Sequence, residues 1–176
     1  MTQLNAVISL LAGLAGTIVG AAIAWLSSTR QQRIRDTFDL HREFHSPEMV
    51  DSRYRAAELL KEHEGKTLQE IRDDIGAASM HHFWNVLLFY QRLWLAVKYN
   101  GVQRRYIAGL FGEIFDWWYL QFFQYRLDPR NRELVSDIEH FHVWLISHAS
   151  QSQVNKWHQS HVFHPIDAKG TLPEIH

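Results

Sequence analysis

The stretch MHHFWNVLLFYQRLWLAVKYNGVQRRYIAGLFGEIFDWWYLQFFQYRL, residues 80–127, decides the fold. Met80, Phe83, Trp84, Leu87, Tyr90, Trp94 and Val97 recur at three- and four-residue spacing, so they share one wide face of a helix reaching Tyr99. Asn100-Gly101 is suited to end it, because a left-handed residue costs these two types least. A second helix is predicted from Arg104 to Leu127. Ile107, Phe111, Ile114, Trp118, Phe122 and Tyr125 form its stripe, and Phe115, Trp117, Leu120 and Phe123 cover much of its remaining surface. A helix so apolar must lie centrally, or face a partner or lipid. The short break at Asn100-Gly101 makes the two helices antiparallel neighbours.

The flanks extend the same pattern, and no alternation of a half-buried strand interrupts it. Gln31 to His45 continues from an N-terminal helix, with Ile34, Phe38 and Phe44 as sparse apolar positions. Ser46 reads as an N-cap with Pro47 at the first helical position, opening a helix to about Glu64 that stops at Gly65. Thr67-x-x-Glu70 is a capping box starting a short helix that ends near Gly76. Asp128-Pro129 is expected to open the last long helix, in which Leu134, Ile138, Phe141 and Leu145 keep helical spacing. After Ser150 a polar, irregular tail is expected.

Outward to the N-terminus, the first 29 residues carry no charged side chain. The 23 positions Leu4 to Leu26 would make a helix of roughly 34 Å, enough for a hydrocarbon core of about 30 Å. A single transmembrane helix is the resulting expectation; a secretory signal fits less well, because no basic segment precedes the run. Arg30, Arg33 and Arg35 follow at once. The positive-inside rule then places the N-terminus outside and the domain in the cytoplasm, with these arginines on lipid headgroups. Ala12, Gly16, Gly20 and Ala24, four residues apart, lay a stripe of small side chains against which another helix could pack.

The expected fold class is therefore all-α: an N-terminal single transmembrane helix over 1–29, a small cytoplasmic helical bundle over 30–150, and a polar tail over 151–176. Eighteen basic against nineteen acidic residues leave no excess of positive charge for phosphates, which argues against nucleic acid as the partner. The absence of cysteine removes thiolate chemistry.

Twelve histidines are the compositional oddity that raises metal binding. His41 and His45 stand four apart on a helix, and Glu139-x-x-His142 is half of a di-iron motif whose second half is missing. His158-x-x-His161-x-x-His164 spreads over a wide arc and reads as a solvated cluster. Arg35 and His41 match the Arg-x5-His pattern of small helical HEPN-type ribonucleases, a pattern common by chance in a chain this rich in both residues. Glu113 and Asp116 interrupt the most apolar helix. They are expected either to pair with an arginine such as Arg92 or Arg105, or to present a buried acid as proton acceptor. No Gly-rich phosphate loop and no nucleophile elbow is present.

From Ala57 to Trp144 the chain resembles a bacterial family of uncharacterised single-pass membrane proteins with a helical domain. The resemblance is carried by Asn85, Phe89, Tyr90 and Gln91, by Leu95-Ala96-Val97, and by Gly101 and Ile107. It implies an inner-membrane anchor and a cytoplasmic helical module, without substrate or catalytic residue. The functional expectation is thus a membrane-anchored, non-enzymatic interaction module that needs no cofactor. It would bind a protein partner or itself through an aromatic surface at Phe115, Trp117, Leu120 and Phe123, unless those rings fill the domain's own core. A metal-dependent bundle enzyme using His41, His45, Glu139 and His142, or an Arg35/His41 ribonuclease, is the alternative.

Overall fold

Most of the local signals become helices where they were expected. The computed structural model describes residues 2–128 and 130–163, with side chains described for 16–128 and 130–160. The helix α1 (Thr2–Phe44) runs unbroken into the domain, followed by α2 (Pro47–Glu62) and α3 (Leu68–Ile75). A 3-10 turn over Ala77–Met80 leads into α4 (His81–Lys98), and α5 (Arg104–Trp118) widens into a π turn over Tyr119–Phe123 before the single turn α6 (Gln124–Arg126). The helices α7 (Arg132–His148) and α8 (Gln151–Phe163) complete the order, and no strand occurs among the described residues.

The caps show why the boundaries fall there. Ser46 Oγ accepts from Met49 N with Pro47 next in line, and Thr67 and Glu70 make the complete reciprocal capping box. Asn100 takes φ 58°, Gly101 N donates to Ala96 O and Asn100 N to Val97 O, which closes α4 as a Schellman motif. Arginines support two helix ends. Arg104 donates through Nε and Nη2 to Val97 O at the end of α4, and Arg126 Nη1 reaches Leu60 O and His63 O at the end of α2. Guanidinium groups suit these sites because the last carbonyls of a helix lack partners and carry partial negative charge.

Two boundaries differ from expectation. The cap of α7 is Asn131, whose side chain accepts from Leu134 N, while Asp128 instead accepts from Arg130 N in the preceding turn; Pro129 lies outside the described residues. The segment expected to be irregular after Ser150 forms α8. Val154 and Trp157 are buried, and the Trp157 ring sits where a Cβ on Gly112 would come within 2.4 Å of it. The missing side chain at Gly112 is what admits α8 against α5.

The core lies between α4, α5 and α7, with α2 across α4 and the C-terminal part of α1 against α5. Phe115 is its centre, with ring centroids 4.6 Å from Phe141 and 4.8 Å from Tyr90. The end of α5 and the π turn carry Trp118, Phe122 and Phe123 inward together: Trp118 stands 5.0 Å from Phe122 and 5.7 Å from Phe123. Each fully buried ring contributes about 1.5–3 kcal/mol through its apolar surface. Two polar atoms share this interior without a hydrogen bond among the described residues, Tyr90 Oη and Arg53 Nε. The Arg53 guanidinium lies 4.0 Å over the Phe44 ring, which offsets part of that cost. Burial drives the Tyr90 hydroxyl far above its ordinary pKa, with the charge of Arg53 acting the other way.

The transmembrane expectation is corrected. Among the described residues no helix is long and apolar enough to cross a membrane. The part of the apolar run whose side chains are described, Gly16 to Leu26, spans about 16 Å of helix, roughly half of a hydrocarbon core. Polar Ser27, Ser28 and Thr29 and charged Arg30 follow it within the same unbroken helix. The single-pass inner-membrane location is therefore not supported. The headgroup role of Arg30, Arg33 and Arg35, which depended on it, loses its basis.

Candidate functional site

Three places gather chemistry that packing alone does not require. The first is the N-terminal arm of α1. From Gly16 to Ser28 every residue is exposed, and the first buried side chain after them is Thr37, whose Oγ1 donates to Arg33 O and accepts from Gln103 N. That bond fixes α1 to the turn between α4 and α5, and Phe38 on Tyr106 and Phe44 on Phe111 continue the attachment. Beyond it the arm stands clear. Ile18, Val19, Ile23, Trp25 and Leu26 are between 57% and 68% exposed, on a broad face of the helix about 160° wide at 3.6 residues per turn. Gly16 and Gly20 have nothing within 4 Å of where a Cβ would be, and Ala24 is exposed; the side chain of Ala12 lies outside the described ones. A contiguous apolar surface of this kind is uncommon unless something covers it.

The surface expected at the aromatic helix is a different matter. Phe115 and Phe123 are buried in the core, and Trp117 and Leu120 are half-buried, Trp117 edge-on to Trp118 and Phe122. Of the rings on this helix, Phe111, Phe115, Trp118, Phe122 and Phe123 are buried, while Tyr125 is 74% exposed.

The second place is Asp116. This carboxylate is 1% exposed and lies where α5, α7 and α8 meet. His142 Nε2 donates to its Oδ1 at 2.8 Å, and His158 Nε2 stands 3.4 Å from its Oδ2. The His142 ring stacks on Tyr119 at 3.8 Å and 12°, so the start of the π turn forms one wall. The two arginines weighed for Glu113 and Asp116 have other hydrogen-bond partners: Arg92 bonds Glu43 and Arg105 bonds Tyr106. The imidazoles instead use the nitrogens that aim at the carboxylate itself. This arrangement ties α7 and α8 to α5 and explains how a charged group is held in the most apolar helix.

The metal residues weighed from the sequence are not brought together. His41 packs on His45 and Phe111, His142 serves Asp116, and Glu139 is exposed. Among the described residues no group of three or more histidine, aspartate or glutamate side chains is placed to hold a metal ion. Burial, with His41 and Arg53 adding positive charge nearby, keeps His45 below its ordinary pKa. The side chains of His161 and His164 lie outside those described. Arg35 is exposed on α1, the same helix that carries His41.

The third place was not legible in the sequence. A cleft of about 370 Å³ opens between α2, α4 and the end of α1. Ser52 lines it, 5% exposed, with its Oγ 3.2 Å from His82 Nδ1 and 3.5 Å from Asn85 Nδ2. Met49, Leu88 and Phe89 give it apolar walls, and Glu43 and Arg92 pair at its rim. Ser52 and His82 are thirty residues apart with no motif around either, so only the packing of α2 on α4 joins them. Compared with protein-family models, curated proteins and solved structures, the chain matches none.

Proposed function

We propose that the chain is a helical interaction module that associates with a second copy of itself through the arm of α1. The observation that carries this reading is the exposure of every residue from Gly16 to Ser28, with Ile18, Val19, Ile23, Trp25 and Leu26 bare beside open Gly16 and Gly20. An apolar helix gains about 25 cal/mol for each Å² removed from water, so leaving the arm bare is costly. A second copy is the fitting occupant for two reasons. The arm carries no charge with which to select a partner of opposite sign. Its small-residue stripe is also self-complementary: two such stripes let helix backbones approach closely about a two-fold axis, each copy offering the same patch. The domain beyond Thr37 then serves as the rigid body that the arms bring together.

Sedimentation equilibrium of the full chain across a hundredfold concentration range tests this. The wild-type chain is expected to dimerise, and Gly16→Ile with Gly20→Ile to weaken dimerisation by at least tenfold with the helical signal unchanged. A wild-type chain that stays monomeric throughout overturns the reading. So does a double variant that dimerises as tightly as wild type, or an arm that becomes protease-protected only on phosphatidylcholine vesicles.

A further inference from the structure

We propose that the cleft between α2 and α4 is a hydrolytic site for small neutral acyl esters, with Ser52 as nucleophile, His82 as its general base and Asn85 as oxyanion donor. Ser52 occupies the position such chemistry needs, because its hydroxyl has the open cleft on one side and an imidazole on the other. The 3.2 Å separation between Ser52 Oγ and His82 Nδ1 is within hydrogen-bond reach of a nucleophile and its base. Asn85 Nδ2, 3.5 Å from the same oxygen, lies on the cleft side, where the carbonyl oxygen of a bound ester would become negative.

The surroundings support the assignment. His82 is held below its ordinary pKa by burial first and by neighbouring His81 and Arg55, against the opposing carboxylate of Asp51. This favours the neutral imidazole, the form that can take a proton. The His81 ring, 3.7 Å from that of His82, fixes the imidazole from its outer side, and His81 is itself anchored through Nδ1 to Ala78 O. The apolar walls of Met49, Leu88 and Phe89 suit a short alkyl or acyl chain. Glu43 and Glu48 at the rim disfavour anions, since Arg92 is already paired with Glu43.

The step balances without a co-reactant beyond water. Ser52 Oγ bonds to the ester carbonyl carbon while its proton passes to His82 Nδ1, and the oxyanion forms against Asn85. The bond to the alcohol oxygen then breaks as His82 returns that proton to it. Water attacks the acylated Ser52, giving its proton to His82; the acid leaves and the proton returns to Ser52 Oγ.

The test uses the full chain, a fluorophosphonate probe with peptide mass spectrometry, and 4-nitrophenyl butyrate turnover. The wild-type chain is expected to carry the adduct on Ser52, and Ser52→Ala to reduce turnover to the uncatalysed rate. His82→Gln is expected to slow labelling by about a hundredfold or more, the usual scale of general-base loss. Failure of the probe to reach Ser52 in the wild-type chain overturns the proposal whatever the variants do. Equal turnover in wild type and a folded Ser52→Ala does the same, and leaves the dimerisation reading untouched.

Discussion

The arm of α1 and the helix α5 are both apolar on nearly every side, yet one is bare and the other is the centre of the domain. Between 104 and 123 the chain places eight aromatic residues; between 16 and 28 it places one, Trp25, among Gly16, Gly20, Ala21, Ala22 and Ala24. Large rings reach far enough to interlock with two neighbouring helices at once, as Phe115 does with Tyr90 and Phe141. Alanine and glycine leave the helix backbone itself as the surface, which suits another backbone approaching from outside. Apolarity alone therefore does not fix where a helix goes; side-chain reach does.

The sharpest way to break this contrast is to truncate one residue from each region. Phe115→Ala should cost about 3–5 kcal/mol in urea unfolding, because the cavity cannot collapse among rings held from several sides. That is a large share of the roughly 5–15 kcal/mol that holds an ordinary domain together. Trp25→Ala, 67% exposed, should stay within about 0.5 kcal/mol when unfolding is measured on the dissociated chain. Equal losses at the two positions would erase the distinction.

Asp116 tests whether the core helix tolerates its charge only through the imidazoles. Asp116→Ala should destabilise by about 1.5–3 kcal/mol, the scale of hydrogen bonds to a charged group, and should loosen α7 and α8 together. A loss confined to one of them would show that His142 and His158 do not act on a common carboxylate.

Next in size is the seam between α5 and α8. Gly112→Ala sets a Cβ within 2.4 Å of the Trp157 ring, so the indole must move, at about 1–3 kcal/mol for overpacking. Faster proteolytic cleavage within Gln151–Phe163, with the rest of the domain resistant, is the expected outcome. Unchanged cleavage would mean that α8 is held elsewhere.

What the sequence made legible was local. Ser46 with Pro47, Thr67 with Glu70, and Asn100 with Gly101 act over three to five residues, so their spacing alone announced three helix boundaries. The helix α8 was hidden because only Val154 and Trp157 face inward, and the partner that makes room for them, Gly112, lies about forty residues earlier. The π turn left no mark in a run already apolar on every side. The sites were hidden for the same reason: Asp116 meets His142 across 26 residues and Ser52 meets His82 across 30, distances over which no pattern in one chain points to a pair. The aromatic excess was visible, but whether it formed core or surface depended on which helices packed around it.

The smallest effect expected lies in α3, outside both regions compared, and it measures how far a purely local device acts without tertiary support. Glu70 Oε2 accepts from Thr67 N at 2.7 Å and from Thr67 Oγ1 at 2.9 Å. The backbone bond first, and the hydroxyl second, hold its carboxyl below the usual carboxylate range. Because the folded value lies below the unfolded one, the cap's contribution is complete above the ordinary pKa and is lost as pH falls through the folded value. A carboxyl titration followed by NMR should therefore place Glu70 below the other exposed glutamates. Thr67→Ala, which removes the hydroxyl but keeps the backbone donor, should raise its midpoint only part of the way back. A full return would assign the whole effect to the side chain; no change would mean that the N–H at the helix start suffices, as the macrodipole argument alone would have it.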